Sequence, residues 1–199
     1  MKSSKNIIYH KIIKKGRGSV FTNNDFYNNS TSKEAVDKAL SRLAKENKIN
    51  RLARGIYNYP IYSKLLKRFI PPRAENVANA VARKHHTSML VDRRRAANLL
   101  GLSEQVPAQQ VFITDGPNAK INIGKRSIIF KHTTQNIEML SKFKKASVIV
   151  QALNSVGQSG INNEILNKIK AIVREEHINM KKCVPFTPKW IQNEIKKLK

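Results

Sequence analysis

One stretch constrains this chain more than any other: residues 31–58, TSKEAVDKALSRLAKENKINRLARGIYN. Its first half carries apolar residues at helical spacing, Ala35, Val36, Ala39, Leu40, Leu43 and Ala44, which at about 100° per residue gather on one side. Ser32, Lys33, Asp37, Lys38, Ser41, Arg42 and Lys45 fall on the other. Thr31 or Ser32 supplies an N-cap oxygen, and Glu34 stands in the first turn, where the helix dipole favours an acid. The spacing therefore predicts a helix over 32–47 with one short, polar, basic face. Beyond a break at Asn47, residues 49–52 and 56–59 read as two extended runs joined across Ala53-Arg54-Gly55. They make a β-hairpin with Arg51 and Arg54 near its tip.

The residues upstream complete an order of elements. Ile7, Ile8, Ile12 and Ile13 lie toward one side of a helix over 5–15 that Gly16 ends; residues 19–22 are extended, and Asn23-Asn24-Asp25 caps a brief helix through Phe26 and Tyr27. Helix, short strand, short helix, longer helix and hairpin is the order of a winged helix-turn-helix, whose longer helix enters a major groove while the wing meets phosphate. In that reading Arg42 pairs with a guanine edge, and Ser32, Lys33, Asp37 and Ser41 add base or water-mediated contacts. Lys38, Lys45, Arg51 and Arg54 hold phosphates. Lys14, Lys15 and Arg17 either join them or end the first helix in solvent. The same pattern also describes a solvated basic face over an ordinary core.

Charge weighs between these readings. The chain has 38 Lys and Arg against 13 Asp and Glu, a formal net charge of +25, where a magnitude of about 2 to 8 keeps a small domain soluble. Such an excess favours a polyanion: DNA, RNA, an anionic membrane surface and an acidic protein all satisfy it. Residues 1–70 hold 16 basic and 4 acidic side chains, residues 71–140 hold 10 and 5, and residues 141–199 hold 12 and 4. The largest share thus sits with the helix and hairpin described above.

At 199 residues, 40% of them apolar, the chain can build two small cores. Pro71-Pro72 marks the expected division, giving domains 1–70 and 71–199. No run of about 18 apolar residues and no signal-like start is present, so a cytoplasmic protein without a membrane partner is expected. The single cysteine, Cys183, reads as a small buried hydrophobe, and His85-His86 as a helix end. No metal-ligand spacing, cofactor loop, paired carboxylate site or Ser-His-Asp order stands out, so neither an enzyme nor a cofactor is expected.

The remainder alternates between helices and strands. Residues 62–69 read as a helix carrying Lys64, Lys67 and Arg68, and residues 72–83 as another with Val77, Ala78 and Val81 inward. A strand over 89–91 leads to Asp92, the cap of a helix over 93–100. Arg93, Arg94 and Arg95 fan around about 200° of that helix, as a solvated run or a partner surface. Three strands follow over 106–114, 120–123 and 127–132, then helices over 137–142, 147–155, 162–176 and 188–198. The last, with Trp190, Ile191, Ile195 and Leu198, is expected to dock on the sheet. The fold class is α+β: an N-terminal winged helix-turn-helix, then a mixed α/β C-terminal domain with a small sheet and packed helices.

Taken in sequence, RLARGIYNYPIYSKLL, PPRAENVANAVARKH, AANLLGLSEQVPAQQVFITDG, IFKHTT and PFTPKWI resemble the AbiEi-type antitoxins of bacterial abortive-infection, or type IV, toxin-antitoxin systems. The resemblance implies a winged-helix domain that represses its own operon by binding inverted repeats in double-stranded DNA. It also implies a C-terminal α/β domain needed to neutralise a cognate nucleotidyltransferase-like toxin, directly or indirectly, without catalytic residues. The family's wing Arg-Gly-Ile-Tyr corresponds to Arg54, Gly55, Ile56 and Tyr57. Before AANLLGL similar proteins usually carry small residues, and this chain departs from them with Arg93, Arg94 and Arg95. The expected function is a DNA-binding autorepressor and antitoxin. The alternative is a sequence-tolerant RNA-binding or architectural nucleic-acid-binding protein, but such proteins display aromatics on a basic groove, whereas Phe21, Phe26, Tyr57 and Tyr59 fit core and hairpin positions.

Overall fold

The computed structural model describes residues 3–28, 31–124 and 126–198. Its architecture is α+β, with eight α-helices and three small sheets among the described residues. The chain divides into two units, Met1–His86 with Ile121–Ile128, and Thr87–Lys120 with Ile129–Lys199.

The first unit opens with α1 (Ser4–Lys15), capped by the Ser3 hydroxyl and closed by Gly16 at φ 82°. Only Ile8 and Ile12 of its apolar stripe are buried; Ile7 and Ile13 are exposed. Strand β1 (Val20–Thr22) leads into a 3-10 turn (Asn23–Phe26), where the Asp25 carboxylate accepts from the Thr22 N–H at 2.9 Å. Helix α2 (Lys33–Lys45) follows, then β2 (Asn50–Ala53) and β3 (Ile56–Asn58). These strands form an antiparallel sheet in the order β1-β3-β2, with Phe21 opposite Tyr57 and a register shift between Arg51 and Ala53. Phe21, Phe26, Val36, Leu40, Leu43 and Ile49 fill the space between helices and sheet. Each such burial removes enough apolar surface to contribute about 1.5–3 kcal/mol.

Residues 62–69 are not a helix. Strand β4 (Ile61–Ser63) pairs antiparallel with β5 (Arg68–Ile70), Tyr62 opposite Phe69. The two rings meet edge to face at 5.3 Å. The Ser63 hydroxyl accepts from the Leu66 N–H at 3.1 Å, and Lys67 takes φ 47°, so the turn closes without a glycine. Cross-strand pairing of aromatic and β-branched residues outweighs the helix preference of the Lys-Leu-Leu-Lys centre.

Helix α3 (Ala74–His85) lies beyond the proline pair, yet it belongs to the first unit. The Arg83 guanidinium donates to both Asp25 carboxylate oxygens, at 3.3 and 3.2 Å, and to the Val20 carbonyl at 3.2 Å. Those bonds carry the unit past Pro71-Pro72, where the sequence places the division. His86, left-handed at φ 53°, ends the helix.

The second unit holds β6 (Met89–Val91), α4 (Arg93–Leu99) and β7 (Gln110–Thr114), and shares the hairpin of β8 (Ala119–Ile123) and β9 (Arg126–His132), whose Ile121–Ile128 stretch belongs to the first unit. The sheet order is β6-β7-β9-β8. Helices α5 (Glu138–Ser141), α6 (Lys144–Val156), α7 (Asn163–Glu175) and α8 (Lys189–Lys196) complete it. Ile149, Val150 and Leu153 of α6 are buried, together with Ile169 of α7. Ile191 and Ile195 of α8 enter the same core, and α8 packs on α6, where the sequence predicts a dock on the sheet. Cys183 is fully buried; burial pushes its thiol pKa up, and its Sγ donates to the Met180 carbonyl. No described helix is long and apolar enough to cross a membrane.

Candidate nucleic-acid interface

Helix α2 is built to separate two surfaces. The Ser32 hydroxyl accepts from the Ala35 N–H at 3.2 Å and starts the helix. The backbone N–H of Glu34 and the Ser32 hydroxyl hold the Glu34 carboxyl below the usual glutamate range, so the first turn carries the negative charge that its dipole favours. Val36, Ala39, Leu40 and Leu43 are buried. Ser32, Lys33, Asp37, Lys38, Ser41, Arg42 and Lys45 are exposed. At about 100° per residue, the exposed residues from Lys33 to Lys45 span roughly 180° of the helix, and the buried ones roughly 100° opposite.

The exposed face is not uniform. The Asp37 carboxylate accepts from the Asn23 amide at 2.9 Å and the Tyr27 hydroxyl at 3.4 Å. Burial and then Asp37 raise the Tyr27 pKa, so the phenol remains a donor. Asp37 thus ties α2 to the 3-10 turn, a bond that the sequence reading gives instead to bases or waters. Lys33 places its ammonium 5.8 Å from the Tyr27 ring centroid. Lys38, Ser41, Arg42 and Lys45 make no side-chain hydrogen bond or ion pair with any described residue. They form a cationic ridge along the outer side of the helix.

The β2–β3 hairpin follows directly. Arg51 and Arg54 are exposed, and Gly55 closes the turn at φ 71°. The positive φ favours glycine, and a Cβ there would stand 3.1 Å from the Asn23 Oδ1 and 3.2 Å from the Lys84 Nζ, so both side chains would have to give by a few tenths of an ångström. Lys84 of α3 donates to the Arg54 carbonyl. Burial, then the Arg54 charge, lowers the Lys84 pKa. Sequence reasoning missed this brace, because the partners are 30 residues apart and neither position carries a local signal of the bond.

Of the remaining basic residues, Arg17 is committed to the fold. Its guanidinium donates to the Pro60 carbonyl at 2.9 Å and stacks 4.6 Å from the Tyr59 ring centroid. In the second unit the Asp92 carboxylate caps α4 by accepting from the Arg94 N–H. Arg93 and Arg94 are exposed, whereas half-buried Arg95 lies 5.7 Å from the Phe112 ring centroid. The arginine run therefore does not form a single surface. Phe21, Phe26, Tyr57 and Tyr59 are buried, whereas Tyr62 and Phe69 of the β4–β5 hairpin are exposed. Among the described residues no three His, Cys, Asp or Glu side chains come together as a metal site would require.

Chemically, the ridge and hairpin offer guanidinium and ammonium donors with almost no competing acid. Such donors have the hydrogen-bonding pattern that matches phosphate oxygens and base edges. No curated protein and no solved structure matches the chain. The model of DUF6088, a family of unknown function, matches residues 7–180, and the protein belongs to that family.

Proposed function

We propose that this protein is a DNA-binding transcriptional autorepressor and antitoxin of a type IV toxin-antitoxin system, with the first unit acting as a winged helix-turn-helix. One observation carries the reading: α2 buries Val36, Ala39, Leu40 and Leu43 while exposing Lys38, Ser41, Arg42 and Lys45, and a hairpin with exposed Arg51 and Arg54 follows at once. A helix so supported presents side chains to a major groove, and the hairpin meets the adjoining backbone. The resemblance to AbiEi-type antitoxins supports the operon context and a nucleotidyltransferase-like toxin as partner. Burial of Phe21, Phe26, Tyr57 and Tyr59 argues against single-strand stacking by the α2 face.

Competition tests the proposal. A labelled duplex from the region upstream of the gene is bound by the full-length protein, then challenged with unlabelled promoter duplex, scrambled duplex and bulk RNA. The promoter duplex should displace the label at concentrations about 10³-fold or more below the scrambled one, the lower bound for specific over non-specific binding. Equal displacement by RNA and scrambled DNA would refute it.

A further inference from the structure

A cleft of about 680 Å³ lies within the first unit, lined by the β2–β3 hairpin, the β4–β5 hairpin and residues near Asn122. Arg51, Arg68 and Arg126 line it. All three are exposed, and none makes a side-chain hydrogen bond or ion pair with a described residue. No described acidic residue lines the cleft. Three guanidinium groups around one cavity repel each other unless an anion enters, and the planar guanidinium fork matches phosphate oxygens in pairs.

One further lining residue narrows the chemistry. Phe69 is 55% exposed and lines the same cleft, although it is a large apolar ring. An exposed aromatic beside a cationic wall suits an unpaired base, which stacks by its π-face. The volume falls in the range of small-ligand pockets and is too small for a duplex.

We infer that this cleft is a nucleotide site, in which Arg51, Arg68 and Arg126 hold the phosphates and Phe69 receives the base. The site does not depend on groove reading by α2; only Arg51 serves both. The phosphate and base belong either to a free nucleotide or to an unpaired strand end.

Isothermal titration calorimetry of the full-length protein with ADP, with inorganic pyrophosphate and with the single strand d(pT)4 tests the inference. Arg68→Gln and Arg126→Gln should each weaken ADP about tenfold, the loss expected for a charge-assisted hydrogen bond. Phe69→Ala should weaken ADP while leaving pyrophosphate unchanged, and Arg42→Gln on α2 should leave ADP binding intact. Tighter binding of ADP than of d(pT)4 would identify a free nucleotide as the source; the reverse would identify a strand end. The inference is overturned if no probe binds below millimolar concentration. It is equally overturned if Arg68→Gln and Arg126→Gln, with unchanged circular dichroism, bind ADP like the parent, or if Arg42→Gln weakens ADP as much as they do. Loss of promoter binding with ADP binding retained would separate failure of the groove-reading proposal from failure of this one.

Discussion

Replacing Lys38, Lys45, Arg51 and Arg54 together by glutamine should flatten the salt dependence of DNA binding by a calculable amount. All four side chains are exposed and make no side-chain hydrogen bond or ion pair with a described residue, so their charges can be removed without opening the core. Each phosphate neutralised by a cationic side chain contributes about 0.9 to the slope of log affinity against log salt. Losing four contacts should lower the slope by about 3.6. Between about 50 and 200 mM salt the parent should therefore lose roughly 150-fold more affinity than the variant. Fluorescence anisotropy of a labelled promoter duplex across that range reads both slopes, and circular dichroism checks that the variant is folded. A folded variant whose slope lies within about one unit of the parent's would refute the assignment of these four residues to phosphate.

Two other predictions concern the support beneath that face. Asp25 both caps the 3-10 turn and receives Arg83, so Asp25→Ala should destabilise the first unit by about 2 kcal/mol and Arg83→Ala by about 1 kcal/mol, measured by urea denaturation; the reverse ranking would show that the link to α3 matters more than the cap. Lys5 at 2.7 Å and Lys48 at 3.0 Å hold the Glu46 carboxyl below its usual range, and a carboxylate whose folded pKa is depressed adds stability above the ordinary glutamate pKa and loses it as pH falls through the folded value. The thermal midpoint of Glu46→Gln should accordingly fall less than that of the parent between about pH 6 and pH 3, and parallel curves would remove Glu46 from the account.

Local pattern made α2 readable. Its apolar spacing, its Ser32 cap and its Asn47 break all lie within 16 consecutive residues, and each has a local physical cause. What could not be read were bonds between distant positions. Nothing near Arg83 or Lys84 points to Asp25, Val20 or Arg54, so sequence alone leaves α3 outside the first unit, to which these bonds join it. The β4–β5 hairpin misleads for another reason. Its centre is rich in helix formers, while the pairing that decides the outcome sits at its ends in Tyr62 and Phe69. On the candidate face, exposure follows from the period, but the engagement of Asp37 by Asn23 and of Lys33 by Tyr27 does not. The inward turn of Arg95 onto Phe112 likewise depends on a strand more than ten residues away.

Arg42 offers the most direct test of groove reading by α2. It is exposed in the last turn of the helix, makes no side-chain hydrogen bond or ion pair with a described residue, and has the geometry for a bidentate contact with guanine. Binding of Arg42→Ala should be measured against a set of promoter duplexes altered one base pair at a time. The account predicts a loss of about 1–3 kcal/mol on the native promoter and a relaxed preference at a single base pair. Unchanged affinity and unchanged preference across the whole set would contradict it.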